Sequence, residues 1–269
     1  MKKLLFLALI AGMFFSSCKD DGTVTPGDGT TNFKLALEQK NAGFYFTGNW
    51  CGPCGLYGKP ALENLSNKHG DNFVWVSCQI NGGNVDPFNN ADADAIHAFF
   101  SPSSVPTIFV GSNGDQFQDV TGGPNMESIL DGYLTTGSRK NPLANIGIEY
   151  TISDGAIVVT TETEFFEDSD LEFAMGVYII EDNLLESQTV TGQGSVDNTT
   201  FNNILRLNLS ANVTGDVLPL NAKKKGQIDE MIFTDFLQSN WKIENLRIVA
   251  VLWAKTSSGE FKAVNATVT

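Results

Sequence analysis

The sequence predicts an α/β domain followed by an all-β antiparallel sandwich domain, and three observations carry that expectation. Between Phe33 and about Gly137, apolar strand-like runs alternate with stretches of helical spacing. Beyond Asn141, short alternating runs recur between turn residues, with no long amphipathic helix among them. A polar hinge with proline at its end, Ser138 to Pro142, separates the two patterns. The 269 residues leave room for two modest cores, and with 42% hydrophobic residues and 19 Phe the chain is not disordered by composition. The expected segments are residues 1–17, 18–32, 33–140 and 141–269.

Lys2 and Lys3 precede an unbroken apolar run from Leu4 to Phe15, followed by Ser16, Ser17 and Cys18. This pattern is a secretory signal peptide over residues 1–17, too short for a comfortable membrane span. The small residues before Cys18 resemble the lipobox of bacterial lipoproteins. That resemblance implies cleavage before Cys18, acylation of Cys18 and anchorage in the membrane through several acyl chains. Gly22 to Thr31 holds Gly, Thr, Pro and Asp with almost nothing to bury, so residues 18–32 read as a lipid-anchored flexible tether. Lys19 is not the Asp that resembles an inner-membrane retention signal, so an outer-membrane lipoprotein is expected. Lys19-Asp20-Asp21 also resembles the short export signal of some surface lipoproteins, which leaves periplasmic and surface-facing placements both open.

Lys and Arg number 17 against 31 Asp and Glu, a formal charge of -14 that repels phosphate backbones and makes nucleic acid a poor partner. The four Cys, at 18, 51, 54 and 78, are too few for a disulfide-stapled scaffold and wrongly spaced for a closed zinc site. His69 and His97 are isolated and read as ordinary surface residues, so no metal and no cofactor are expected.

Gly43 to Thr47 is aromatic and β-branched, as a buried strand requires, and Gly48-Asn49 break it. Trp50-Cys51-Gly52-Pro53-Cys54 follows, and then Leu56, Ala61, Leu62 and Leu65 at helical spacing. The Cys pair therefore sits at a strand-to-helix junction, where free N–H groups and the helix dipole stabilise a thiolate. Cys51, outermost, is the expected nucleophile. Cys54, one turn deeper, is placed to attack a mixed disulfide, and Pro53 is tolerated in the first helical turn. A bare Cys-x-x-Cys is also compatible with half a zinc site or a structural disulfide.

The five-residue motif closely resembles that of thioredoxin. Pro60 falls six residues after Cys54, Phe73 to Ile80 is an alternating strand placed centrally in the sheet, and Val105-Pro106-Thr107 precedes the strand Ile108 to Val110. The resemblance implies an α/β thioredoxin-like domain over 33–140, in which the Pro106 peptide bond is cis and the 105–107 loop lies against the active Cys. It also implies a substrate groove framed by Trp50, Gly52, Pro53, Val105, Pro106 and Thr107, with an extended substrate segment pairing to the loop as an added strand. Two positions depart from the family. Tyr45 stands where thioredoxin keeps a buried Asp, and Tyr57 where some membrane-tethered relatives carry a Glu, so no general base for Cys54 is visible. Asn81 to Phe100 is extra length, rich in Asn, Asp and Gly, and reads as loop decoration. Cys78, on the central strand, reads as a buried structural thiol.

In the second half, strands are expected at Ile146 to Ile152, Ala156 to Thr163, Leu171 to Ile180, Ile204 to Leu209, Leu246 to Lys255 and Glu260 to Thr267. Its carboxylates read as solvated, and Lys223 to Lys225 as a solvated basic loop. The runs 176–182, 202–206, 215–218 and 241–253 are similar to the C-terminal half of the twenty-eight-kilodalton outer-membrane protein family, lipoproteins that join a thioredoxin-like domain to a β domain. The expected function is a membrane-anchored thiol-disulfide oxidoreductase of the bacterial envelope, with Cys51 and Cys54 as the catalytic pair. Its partners are protein thiols or disulfides, a further redox partner, and the membrane through Cys18. The rival is a non-enzymatic surface lipoprotein, an adhesin or binding module on a thioredoxin-like scaffold.

Overall fold

The consecutive aromatic residues Phe44, Tyr45 and Phe46, followed by Thr47, give a strand that is buried on both faces, β1 (Asn41–Thr47). The computed structural model describes residue 35 and residues 37–138, 141–219 and 223–269. The signal segment, Cys18 and the tether lie outside the described residues. After β1 come α1 (Lys59–His69), β2 (Phe73–Gln79), α2 (Ala91–Phe100), β3 (Thr107–Gly111), β4 (Gln118–Thr121) and α3 (Met126–Gly137). β1 pairs with β2 in parallel and with β3 antiparallel, and β4 closes that end. Helix α1 carries Pro60 in its first turn, buries Ala61, Leu62 and Leu65, and ends on Lys68 and His69, cations that suit the helix's negative end. Helix α2 is capped by Asn90, whose side-chain oxygen accepts from the Ala93 amide at 2.9 Å, with Asp92 and Asp94 in its first turn.

The second half adds β5 (Ala144–Ser153), β6 (Ala156–Phe165), β7 (Glu172–Glu181), β8 (Leu184–Val190), β9 (Gly194–Phe201), β10 (Ile204–Asn208), β11 (Asp216–Val217), β12 (Ile228–Phe236), β13 (Leu246–Lys255) and β14 (Phe261–Val268). These strands do not all pair among themselves. Among the described residues the main sheet runs β14-β13-β7-β10-β2-β1-β3-β4, with β11 on β7, so strands of both halves form one sheet. The join is β10, which pairs with β7 on one side and meets β2 on the other at Ile204 opposite Ser77. A three-stranded sheet, β12-β6-β5, covers one face of β7 and β13, and β8-β9 is a separate hairpin.

Three apolar layers hold this together. Ile146, Val159, Phe165, Phe173, Val177 and Ile248 belong to the layer between the three-stranded sheet and the main sheet. Leu62, Leu65, Trp75, Ile108, Leu130 and Leu134 pack β1, β2 and β3 against α1 and α3. The third layer, on the opposite face, is shared by both halves: Phe44 of β1 has ring centroids 5.5 Å from Trp253 of β13, 5.5 Å from Tyr178 of β7 and 5.2 Å from Phe100 of α2. Cys78 is a free, fully buried thiol in this layer, and burial, with the charge of Asp92, pushes its pKa up.

Several polar residues expected in solvent are inside. Lys223 is fully buried and pairs with Asp229 at 2.6 Å, its ammonium 5.8 Å from the Phe165 ring centre, because the chain at Ser169 bridges to it and closes it off. Glu181 is buried and paired with Arg206 at 2.9 Å while accepting the Lys242 amide at 3.0 Å. His69 is half-buried and meets Asp131 at 2.7 Å, and His97 lies edge-on to Phe46. Sequence alternation does not separate a carboxylate on a solvent face from one that faces a buried cation.

The shared aromatic layer makes the two halves one cooperative body. Trp253→Ala is expected to cost about 3–5 kcal/mol. It should also bring forward, in one urea transition, both loss of β-sheet ellipticity and alkylation of Cys78 in β2. Cys78 becoming reactive in a separate, later step would contradict this.

Candidate active site

The motif after β1 is bent into a tight turn: the Cys51 amide donates to Gly48 O at 3.0 Å, and Cys54 to Gly58 form a π-helical turn that runs into α1. Cys51 and Cys54 are joined by a disulfide with an S–S distance of 2.10 Å. The Cys54 amide donates to Cys51 Sγ at 3.2 Å, so a free N–H at the start of the helical run is aimed at the outer sulfur. When the bond is reduced, that N–H and the helix dipole favour negative charge on Cys51. Cys51 is 4% exposed and Cys54 is fully buried, while Gly52 is half-buried and Pro53 exposed.

Across the motif the Val105–Pro106 peptide bond is cis, and Val105 O lies 3.8 Å from Cys51 Sγ. The Gly122 amide donates to Pro106 O at 2.7 Å, and Thr107 Oγ1 donates to Ser104 O at 2.8 Å, which ties the loop at both ends. Pro106 and Thr107 are buried and Val105 half-buried. Trp50, Cys51, Gly52, Pro53, Cys54, Val105 and Pro106 therefore gather at one end of the sheet. Thr107 stands behind the loop, with its hydroxyl spent on Ser104.

Beneath the motif, Tyr45 is wedged against Gly58, where an added Cβ would lie 2.1 Å from its hydroxyl oxygen, so glycine is required there. Burial pushes the Tyr45 phenol far up, with the Thr47 side chain acting against the shift, so it stays neutral and is no substitute for a carboxylate base.

Two contributors were not evident from the sequence. The first is Asp86, in the segment between β2 and α2. It is buried, and its carboxylate accepts the Asn49 amide at 2.7 Å and the Phe88 amide at 2.9 Å, fixing the residue before Trp50. The same segment backs Trp50 itself, whose Nε1 donates to Ile80 O at 2.9 Å and whose ring lies on Gly82. The extra length thus builds the site's rear wall; one Asp among several in a polar run carries no mark that separates it.

The second is Gln188 in β8, from the other half of the chain. It is buried, and its side-chain nitrogen lies 3.4 Å from Gly48 O, 3.2 Å from Asn49 O, 3.1 Å from Cys51 O and 2.9 Å from Thr189 O. The Thr189 amide donates to Asn49 O at 2.7 Å and the Thr191 amide to Gly52 O at 3.1 Å. The polar run Glu186-Ser187-Gln188-Thr189 has no apolar alternation from which a strand could be read.

No family model matches the chain. Protein disulfide-isomerase 1 of Dictyostelium discoideum is 28% identical over 142 residues, which are 52% of this chain and 37% of that relative. Among solved structures, HBP35 of Porphyromonas gingivalis aligns with a TM-score of 0.64 at 15% identity, over 88% of this chain and 76% of that one. With the Cys pair at a strand-to-helix junction and the Pro106 loop facing it, the first half of the chain has a thioredoxin-like fold.

Burial raises the Asp86 carboxyl above the ordinary carboxylate range, opposed by its two amide donors and reinforced by the charge of Glu186. A carboxyl whose folded-state pKa is raised binds its proton more tightly in the folded state, so folding gains as pH falls through that value. Relative to Asp86→Asn, the wild-type chain should therefore gain stability in urea as pH is lowered from neutral towards about 3.9, the ordinary Asp value. A difference that stays flat over this window would contradict the assignment.

Proposed function

We propose that this chain is a membrane-anchored thiol-disulfide oxidoreductase of the bacterial cell envelope, acting on protein disulfides or dithiols through Cys51 and Cys54. The observation that carries the reading is the Cys54 amide aimed at Cys51 Sγ, opposite Val105 O. The match to a protein disulfide-isomerase over half of this chain supports the same chemistry. In the reducing direction the Cys51 thiolate attacks one sulfur of a substrate disulfide, forming a mixed disulfide and releasing the other sulfur as a thiolate. The Cys54 thiol attacks Cys51 Sγ as its proton passes to the departing substrate sulfur. The substrate's second sulfur leaves as a thiol, and the 51–54 disulfide forms. Two electrons pass to the substrate, and a thiol reductant from a partner protein returns them. The reverse sequence oxidises a substrate dithiol.

Lys2, Lys3, the apolar run and Ser16-Ser17-Cys18 support secretion and a lipid anchor at Cys18, and Lys19 supports the outer membrane, periplasmic or surface-facing. The order of parts supports kinship with the twenty-eight-kilodalton outer-membrane protein family. The layer of β5, β6 and β12 on β7 and β13 supports a sandwich-like reading of the second half.

One observation favours the rival reading, a non-enzymatic surface module: Cys51 is almost covered. A single measurement separates the two. The oxidoreductase requires a Cys51 thiolate pKa within about 3.5–7.5 and a 51–54 disulfide that equilibrates with glutathione. A pKa near about 8.5 with a disulfide that glutathione leaves intact would sink it. For the anchor, Cys18→Ser should move the protein from the membrane fraction to the soluble one; a variant that stays in the membrane overturns the lipid attachment.

A further inference from the structure

The β8-β9 hairpin has no place in a thiol-exchange site made by the first half alone, yet it is docked on the motif. Its backbone amides at Thr189 and Thr191 bond the carbonyls of Asn49 and Gly52, and Gln188 spreads its amide over Gly48, Asn49 and Cys51. The approach is close. A Cβ on Gly55 would sit 2.5 Å from the Thr189 carbonyl oxygen, so that position needs glycine for the arm to seat, and one on Gly52 would sit 2.7 Å from the Thr191 hydroxyl. Elsewhere the hairpin stands away from the body: a cavity of about 340 Å³ separates its base from α1, and the strand β9 is exposed through Asn198 before Phe201 packs on Phe88 at 5.5 Å. It is an arm tied to the motif along Gln188, Thr189 and Thr191, with Gly192 to Gly194 at its tip in solvent.

We infer that this arm is the second wall of the substrate groove and selects an extended, cysteine-bearing peptide segment over a disulfide on the convex surface of a folded protein. The inference rests on the oxidoreductase reading. Thiol exchange needs a substrate sulfur in line with Cys51 Sγ. The flank of Cys51 towards Gly52 is occupied by the arm, which leaves the flank of Val105, with Ser103 and Ser104 exposed beside it. On this reading a substrate chain lies along Val105 as an added strand, on the side of Cys51 away from the arm. A folded surface has to bring its bulk up to a motif whose Asn49, Cys51 and Gly52 carbonyls are already covered by the arm. The near-complete burial of Cys51, which favours a static disulfide on the rival reading, becomes on this one the measure of how narrow the groove is.

The test uses the full chain, reduced, against three disulfides: hydroxyethyl disulfide, a disulfide-linked dimer of a short unstructured peptide, and insulin. In the wild type, the peptide dimer should exchange roughly tenfold faster than insulin, relative to their rates with free dithiothreitol, a difference of about 1.4 kcal/mol in barrier. Replacing residues 189–194 by Asn-Gly should bring the insulin-to-peptide ratio back up by a similar factor. Gln188→Ala keeps every backbone atom of the arm, covers the case in which the shortened chain fails to fold, and should shift the ratio the same way while speeding hydrogen exchange at Thr189 and Thr191. A ratio unchanged in Gln188→Ala despite that faster exchange overturns the wall. A wild type that exchanges with none of the three, including hydroxyethyl disulfide, overturns the oxidoreductase reading and the groove with it.

Discussion

Phe44 and Trp253, more than two hundred positions apart, meet with ring centres at 5.5 Å, and the rest of the molecule depends on that contact. Each aromatic side chain buries on the order of 150–250 Å². Tyr178, Phe100 and Phe117 close around the same pair. Because the cluster draws on β1, β7, β13 and α2 together, the sheet has to continue across the boundary between the halves. β10 then lies beside β2, and the chain leaving β7 is delivered as a hairpin to the carbonyl side of the Cys motif. The arm is a consequence of the core, since no local feature of residues 184–201 would fold there unaided.

The sequence was legible wherever one local rule decided the outcome. A Gly-Asn break followed by the Cys pair and helical spacing placed the strand-to-helix junction. Val105-Pro106-Thr107 marked the facing loop. Cys78 on an apolar alternation belonged inside. Most strand positions in the second half came from alternation, with ends shifted by one to a few residues. What was not legible depended on partners remote in sequence. β8, β9 and β12 mix polar and apolar residues on each face, so no period-2 apolar signal exposes them. Asp86 and Gln188 do their work by bonding backbone groups 37 to 140 positions away, and backbone groups carry no sequence signature. Lys223 looked like one of three solvated lysines until Asp229 and Phe165 were found around it.

The chemistry of the site is carried by backbone more than by side chains. An amide points at Cys51 Sγ, a carbonyl faces it from the Pro106 loop, and buried Tyr45, held neutral, occupies the place where thioredoxins keep a proton-transfer group. Asp86 instead holds the peptide before Trp50. Substituting its carboxylate alters geometry first and protonation second, and Trp50 depends on the same segment through Ile80 O.

The seating of Gln188 also sets rules for how this chain can vary. Side chains alternate along a strand, so one residue inserted in β8 between Leu184 and Gln188 turns the amide outward and withdraws three donor contacts at once; two inserted residues restore the side but slide the donor along the motif. The tip beyond Thr191 is under no such control, because Gly192 and Gly194 sit in left-handed conformations in open space. Length and composition there can drift freely while the base of the arm stays fixed. The arm is thereby adjustable at a point that the core does not feel, and sequence change among copies of this architecture should collect at residues 192–194.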